Sequence, residues 1–234
     1  MNITTQLLSE LGVLRLFNGG DNALMDQVAV LLTSGVTWIP LYIGLVCIII
    51  RNNETMAQIG LAVGGALVCV LLTTTVADGV VKPLVERLRP CNDPMVKYTV
   101  FSLAGSRPSD YSFFSAHAAN TMGVAVFTLL LMRSRAIGVL MVGWSLLNCW
   151  TRLYLGVHWP TDILVGILFG ALVGAGVYLG YRKLYLRISP NIKYISNQYS
   201  VTGYDYDDID IVLSVAALTL VYVLLRALYM TSMI

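Results

Sequence analysis

The sequence is poor in charged residues and in histidine. Only 12% of its 234 residues are Asp, Glu, Lys or Arg, against roughly 25% in an average soluble domain. Hydrophobic residues account for 57% of the chain, and the mean hydropathy is +0.74. These values exclude an ordinary soluble domain and predict an integral membrane protein. The net charge of +2 is too small to indicate nucleic-acid binding.

The chain also lacks a cysteine framework and a long polar segment. Three of its four cysteines, Cys47, Cys69 and Cys149, lie within apolar segments, so no disulfide scaffold is expected. Without a polar linker, the chain is predicted to form one membrane domain over residues 1–234.

Apolar runs make up most of the sequence, and we predict an all-α fold. Lipid offers no partner for backbone polar groups, so helices are the expected way to cross it. Residues 1–17 are too short and too polar to span a bilayer and predict an interfacial helix. The fold class is therefore a polytopic membrane helical bundle of about six transmembrane helices plus an N-terminal interfacial helix. The predicted spans are residues 28–50, 56–77, 118–132, 136–150, 159–181 and 209–230.

Polar residues cluster where the fourth and fifth predicted spans meet. Arg152, His158 and Asp162 fall within eleven residues of an otherwise apolar region. If the residues after His158 are helical, Asp162 lies at i+4 and can accept a proton from one imidazole nitrogen. The other nitrogen is then free to act as a nucleophile. Arg152 carries a fork-shaped donor suited to phosphate oxygens.

The loop between the second and third spans adds more such residues. Lys82 and Arg89 are seven residues apart, which predicts that both face one point from a helix ending at Pro90. At the end of this loop, Ser115 is expected to cap the helix that carries His117, and amides at such a helix start can bind an anion. Taken alone, these basic residues also fit side chains that reach for lipid headgroups.

The two histidines of the chain, His117 and His158, are predicted to lie at the same side of the membrane as the three basic residues. Such a cationic cluster is costly near lipid unless it binds an anion, and phosphate is the natural candidate.

Three sequence motifs resemble those of a known family. Lys-x6-Arg-Pro at 82–90, Ser-x-His at 115–117 and Arg-x5-His-x3-Asp at 152–162 resemble, in this order, the signature motifs of the type 2 phosphatidic acid phosphatases. That superfamily also includes vanadium haloperoxidases and bacterial acid phosphatases. Two positions depart from its usual pattern. Ala116 replaces a glycine, which puts the geometry of the phosphate cradle in question, and Thr151 replaces a serine but keeps the hydroxyl.

The resemblance implies a role for each motif residue. His158 would be the nucleophile that forms a phosphohistidine, Asp162 would orient it, and His117 would protonate the leaving oxygen. The implied phosphate-binding groups are Lys82, Arg89, Arg152, Ser115 and the amide of Ala116. No metal or other cofactor is expected, because fixed cations neutralise the phosphate.

The resemblance further implies a lipid substrate: undecaprenyl diphosphate, lipid A phosphate, phosphatidylglycerophosphate or phosphatidate. Outside the predicted site, the face bearing the active site has five basic residues and the other face has seven. The positive-inside rule therefore predicts a bacterial inner membrane protein whose active site faces the periplasm or exterior, which favours the first two substrates. The seven are Arg51, Arg133, Arg135, Arg182, Lys183, Arg187 and Lys193.

Two other classes remain open from the sequence. A phosphotransferase of the same fold would carry identical motifs and hand the phosphoryl group to an alcohol instead of water. A binder or transporter of lipid phosphates would use the same cations without chemistry, and would keep its activity after loss of His158.

Overall fold

Helices form the regular structure of the chain in the computed structural model, which describes residues 3–20, 22–102, 107–189 and 198–233. Those residues contain no β-strand, and the predicted all-α class is confirmed. The central helix is α5, which packs against α4, α6 and α7, while α8 packs against α2 and α3. The helices are α1 (Ile3–Arg15), α2 (Ala23–Thr33), α3 (Ile39–Arg51), α4 (Met56–Val85), α5 (Ala116–Met132), α6 (Arg135–Tyr154), α7 (Pro160–Ile188) and α8 (Tyr206–Ser232).

Four of the described helices, α4, α6, α7 and α8, are long and apolar enough to cross a bilayer. The bent pair α2 and α3 makes a fifth candidate if it counts as one span. The remaining predicted span corresponds to α5, which is apolar but only 17 residues long. The membrane bundle is therefore confirmed, while the number of six spans and the single domain over 1–234 stay predictions.

The first predicted span, residues 28–50, is not one straight helix. It breaks after Thr33 and bends by 68° before it continues as α3. Pro40 has no N–H to donate and therefore favours the first turn of a new helix. Trp38 covers the break, because its indole N–H donates to the Leu32 carbonyl at 2.8 Å and satisfies the end of α2.

The second predicted span, residues 56–77, extends to Val85 in the structure. It still ends before Arg89, so one helix does not carry both Lys82 and Arg89. Its segment Thr75–Val81 is π-helical, a widened turn that precedes Pro83. The helix stops at Val85, and Glu86 adopts a left-handed conformation with φ of 50°. The prediction that Lys82 and Arg89 lie on one helical face is therefore wrong.

Helices α5 and α7 touch along a stripe of glycines. A Cβ at Gly166, Gly170 or Gly174 would lie within 3 Å of a backbone carbonyl oxygen of α5 or its cap. The close-packing face predicted from their four-residue spacing is confirmed. This contact fixes the start of α5, which carries His117, relative to the start of α7, which carries Asp162.

Helix α1 lies over the loops at this same end of the bundle. Leu11 and Leu14 are buried against Val96, Val100 and Trp159. The predicted N-terminal helix is thus confirmed, and its location at a membrane interface stays a prediction.

Candidate active site

The predicted site residues meet at one end of the bundle, where the α4–α5 and α6–α7 loops come together. Each motif contributes from a different element, so the site forms only when α4, α5, α6 and α7 are packed. The contributors are Lys82 at the end of α4, Arg89 in the following loop, Ser115, Ala116 and His117 at the start of α5, Arg152 near the end of α6, His158 in the α6–α7 loop and Asp162 in the first turn of α7.

His158 is buried, with 3% of its surface exposed, and its two ring nitrogens have different neighbours. Nη1 of Arg89 lies 3.1 Å from Nε2. Because a guanidinium only donates, Nε2 must accept and the proton must sit on Nδ1. Nδ1 lies 3.5 Å from Oδ2 of Asp162, too far for a strong hydrogen bond. The lone pair of Nε2 therefore points toward the cations of the site.

Asp162 is completely buried, and both of its carboxylate oxygens are held. Oδ2 accepts the backbone N–H of Trp159 at 2.9 Å, which caps α7, and Oδ1 accepts from Arg87 at 2.9 Å. The predicted i, i+4 proximity to His158 is confirmed, although His158 precedes the helix rather than lying on it.

Lys82 and Arg89 hold a common oxygen atom. Oδ2 of Asp110 lies 2.9 Å from Nζ of Lys82 and 2.8 Å from Nη2 of Arg89. Partial burial raises the pKa of Asp110, but the hydrogen bonds from Arg89 and Lys82 outweigh it and lower the pKa to about 2. An oxyanion is therefore already bound beside His158 at neutral pH.

Arg152 has a side-chain N–H group that makes no hydrogen bond to a described residue. It donates to the Thr33 hydroxyl, while its buried Nε has no hydrogen-bond partner among the described residues. The backbone N–H of Val157 donates to the Arg152 carbonyl at 3.2 Å, which ties Arg152 to the loop that carries His158. An unpaired buried donor at this position fits an anionic ligand.

Ser115 caps α5 as predicted, because its hydroxyl accepts the N–H of Ala118. Its own N–H donates to the Asp162 carbonyl, which ties α5 to α7. The next amides, of Ala116 and His117, belong to the first turn and have no partner within the helix. Ala116 starts a normal right-handed helix, so the replacement of glycine causes no backbone strain.

Three charged residues of the site were missed by sequence reasoning: Glu10, Arg87 and Asp110. Nη2 of Arg87 lies 2.6 Å from Oε2 of Glu10, and its Nη1 lies 2.9 Å from Oδ1 of Asp162. One signal was available, since Glu10 is the single acidic residue in the amphipathic segment 1–17. Arg87 and Asp110 lie in a loop with several charges, and nothing in the local pattern separates them from their neighbours.

The membrane helical bundle and the buried histidine among basic side chains are the fold and the kind of site expected of an integral membrane phosphatase. The family model of the PAP2 superfamily matches residues 62–186, and this chain belongs to that superfamily. It is a lipid phosphate phosphatase, as the functions of its relatives indicate.

The chain is similar to the lipid A 4'-phosphatase of Bacteroides thetaiotaomicron, with 33% identity over 80% of each chain. It is 34% identical to the undecaprenyl-diphosphatase of Sulfolobus acidocaldarius over 47% of this chain and 52% of that one. In fold it is similar to the transmembrane PAP2-type phosphatidylglycerolphosphate phosphatase of Bacillus subtilis. The TM-score is 0.58 and the identity 18%, over 82% of this chain and 90% of the other.

Proposed function

We propose that this protein hydrolyses a phosphate group of a lipid A headgroup through a phosphohistidine on His158, without a metal ion. The observation that carries the proposal is the oxyanion held by Lys82 and Arg89 next to Nε2 of His158. Here the Asp110 carboxylate stands in for a phosphate oxygen of the substrate.

In the first step, the lone pair of His158 Nε2 forms a bond to phosphorus and the bond to the leaving oxygen breaks. Lys82, Arg89 and the free Nε of Arg152 stabilise the charge on the phosphoryl oxygens, with the first amides of α5 as further donors. His117, in its protonated imidazolium form, gives a proton to the leaving oxygen and becomes neutral. Nδ1 keeps its proton, so the phosphorylated ring is cationic and faces the Asp162 carboxylate.

In the second step, His117 takes a proton from water, which attacks phosphorus and releases orthophosphate and free His158. Atoms and protons balance over the two steps without a redox partner. The three fixed cations supply the positive charge that a metal ion supplies in other phosphatases.

The lipid part of the substrate fits an apolar cavity of about 480 Å³ next to the site. Its walls come from α3, α4, α5 and α6, and its lining includes His117 and Asn148. Leu67, at its rim, is exposed on the membrane-facing surface of the bundle. We propose that a lipid chain enters here from the bilayer and brings its phosphate to His117 and His158.

A bulky side chain in this cavity is expected to lower activity on lipid substrates more than on a substrate without a lipid chain. Ala66→Trp puts an indole into the cavity wall and should lower kcat/KM on a long-chain lipid phosphate about tenfold or more, the effect of roughly 1.4 kcal/mol of lost binding. Turnover of para-nitrophenyl phosphate, which has no chain, should change less than about twofold. Leu71→Trp, on the exposed face of the same helix, is the matched control. Equal losses on both substrates would contradict the assignment.

Among lipid phosphates, lipid A is favoured because the relative with that activity matches four fifths of both chains. The undecaprenyl-diphosphatase matches about half of each chain, so undecaprenyl diphosphate is the second candidate. Both fit a site that faces the periplasm of a bacterial inner membrane, the orientation favoured by the basic residues of the opposite face.

The deciding experiment is phosphate release by the detergent-purified protein in excess chelator, from lipid A, undecaprenyl diphosphate, phosphatidylglycerophosphate and phosphatidate. Lipid A should give the highest kcat/KM, and chelator should not reduce it. Phosphate that appears on a second lipid instead of in solution would identify a phosphotransferase. No turnover of any of these lipids would overturn the proposal.

The decrease of kcat/KM at low pH, the acid limb of the profile, should report the protonation of His158. Burial, together with the charges of Arg89 and Arg152, lowers the pKa of His158 to about 4, although Asp162 opposes the change. Because the lowered pKa keeps Nε2 unprotonated above about pH 4, kcat/KM on para-nitrophenyl phosphate, whose leaving group needs no proton from His117, should be flat from pH 5 to 7 and fall below about pH 4. An acid limb near pH 6.5, the value of an unperturbed histidine, would contradict this environment.

A further inference from the structure

Arg87 lies within the first motif, between Lys82 and Arg89, and joins its own loop to α1 and α7. Its Nη1 donates to Oδ1 of Asp162 at 2.9 Å and to the Thr161 hydroxyl at 2.7 Å, and its Nη2 donates to Glu10 at 2.6 Å. The guanidinium also lies over the Trp159 ring, 5.1 Å from its centroid. This side chain therefore has a fixed position.

The contact with Asp162 complements the one from the backbone. The Trp159 N–H holds Oδ2, the oxygen that faces His158, and Arg87 holds Oδ1. With both oxygens fixed, the carboxylate cannot rotate away from the imidazole. Asp162 has no exposed surface, so no water can replace Arg87 without rearrangement of the loop.

Glu10 of α1 completes the charge balance of this group. It is 7% exposed and also accepts from Thr161 at 3.1 Å. Arg87 paired with Asp162 alone would cancel the negative charge that His158 faces. With Glu10 as a second partner, one cation and two anions leave a net charge of −1. A negative charge stabilises the cationic ring of a phosphohistidine that keeps its Nδ1 proton.

We infer that Arg87 is a positioning residue for the Asp162–His158 pair, and that Glu10 makes helix α1 part of the catalytic support. This inference rests on the proposed function, since it assigns how the nucleophile is held. Neither residue contacts the bound oxyanion of Asp110 among the described contacts, so their removal should affect the chemical step rather than substrate binding.

The test compares Arg87→Gln, Arg87→Lys and Glu10→Gln with the wild type, on the lipid that the wild type turns over fastest. Arg87→Gln should lower kcat about 10- to 100-fold with KM changed less than about twofold. Arg87→Lys keeps the charge but cannot reach three acceptors, so it should recover part of kcat. Arg135→Gln, exposed at the start of α6, is the control that should leave both parameters unchanged.

The acid limb of the kcat/KM profile separates positioning from a purely structural role. Loss of the Arg87 cation should favour protonated His158 and move the limb to higher pH, by about half a unit. Loss of the Glu10 anion should move it to lower pH, and Arg87→Lys should leave it in place. His158 is also faced by Arg89 from the α4–α5 loop, Arg152 from α6, His117 from α5 and Asp162 from α7, all of which are retained in the three variants.

Opposite shifts together with the loss in kcat would support the inference. Wild-type kcat in Arg87→Gln, or acid limbs that stay in place in both charge-changing variants, would overturn it. If Arg87→Gln does not fold, full kcat in Arg87→Lys with an unmoved limb in Glu10→Gln overturns it equally. An inactive wild type, by contrast, would count against the proposed function itself.

Discussion

Replacement of His158 by alanine should abolish phosphate release from every substrate. The variant removes the proposed nucleophile, whose Nε2 lies 3.1 Å from Nη1 of Arg89, while Lys82, Arg89 and Arg152 remain. In hydrolases whose catalytic groups act as a unit, loss of the nucleophile costs about six orders of magnitude in kcat. We therefore expect a loss of at least about four orders of magnitude.

Covalent labelling identifies the reason for this loss. Wild-type protein quenched during turnover of a 32P-labelled substrate should carry an acid-labile, alkali-stable label, as expected for phosphohistidine. The label should be missing in His158→Ala. His117→Asn should still acquire it from para-nitrophenyl phosphate, whose leaving group needs no proton, and lose it slowly. A labelled or active His158→Ala would place the nucleophile elsewhere.

Arg89→Lys should lower kcat about 10²- to 10³-fold although the charge is kept, the range found when one preorganised donor to a developing charge is removed. Arg89 uses four donor contacts at once. Nη1 contacts the Val157 carbonyl at 2.8 Å and His158 Nε2 at 3.1 Å, while Nε and Nη2 contact Asp110 at 3.0 and 2.8 Å. A lysine ammonium cannot reproduce this fork.

Steady-state kinetics and the binding of orthovanadate test this prediction. Vanadate resembles the five-coordinate transition state, so its inhibition should weaken by about the same factor as kcat/KM in Arg89→Lys. Arg135→Lys, on an exposed arginine away from the site, should match the wild type. A kcat within about threefold of the wild type would mean that Arg89 acts only as a charge.

The motif residues could be predicted from the sequence because their spacing is tied to helix ends. Ser115 marks the start of α5, Asp162 lies in the first turn of α7, and Arg152 lies in the last turns of α6. Each such position is local, so periodicity and capping preferences predict it without knowledge of tertiary structure.

Other features depend on contacts between distant parts of the chain. The pairing of Arg87 with Glu10 spans 77 residues, and that of Lys82 with Asp110 spans 28. The conformation of the loops decides which of these residues come into contact, and no local pattern in the sequence predicts that conformation. The straight helix predicted from Lys82 to Arg89 failed because hydrophobic periodicity continues through Val85, whereas the left-handed Glu86 ends the helix.

The carboxylate of Asp110 has a consequence for the order of events in each catalytic cycle. Because it occupies Lys82 and Arg89, a phosphate monoester that binds these two cations, as we propose, must exchange places with it. When orthophosphate is formed, the same carboxylate is half exposed and close by, so it competes with the product for both cations. Under the proposed mechanism, the protein therefore contains its own anion to displace the product from the two cations.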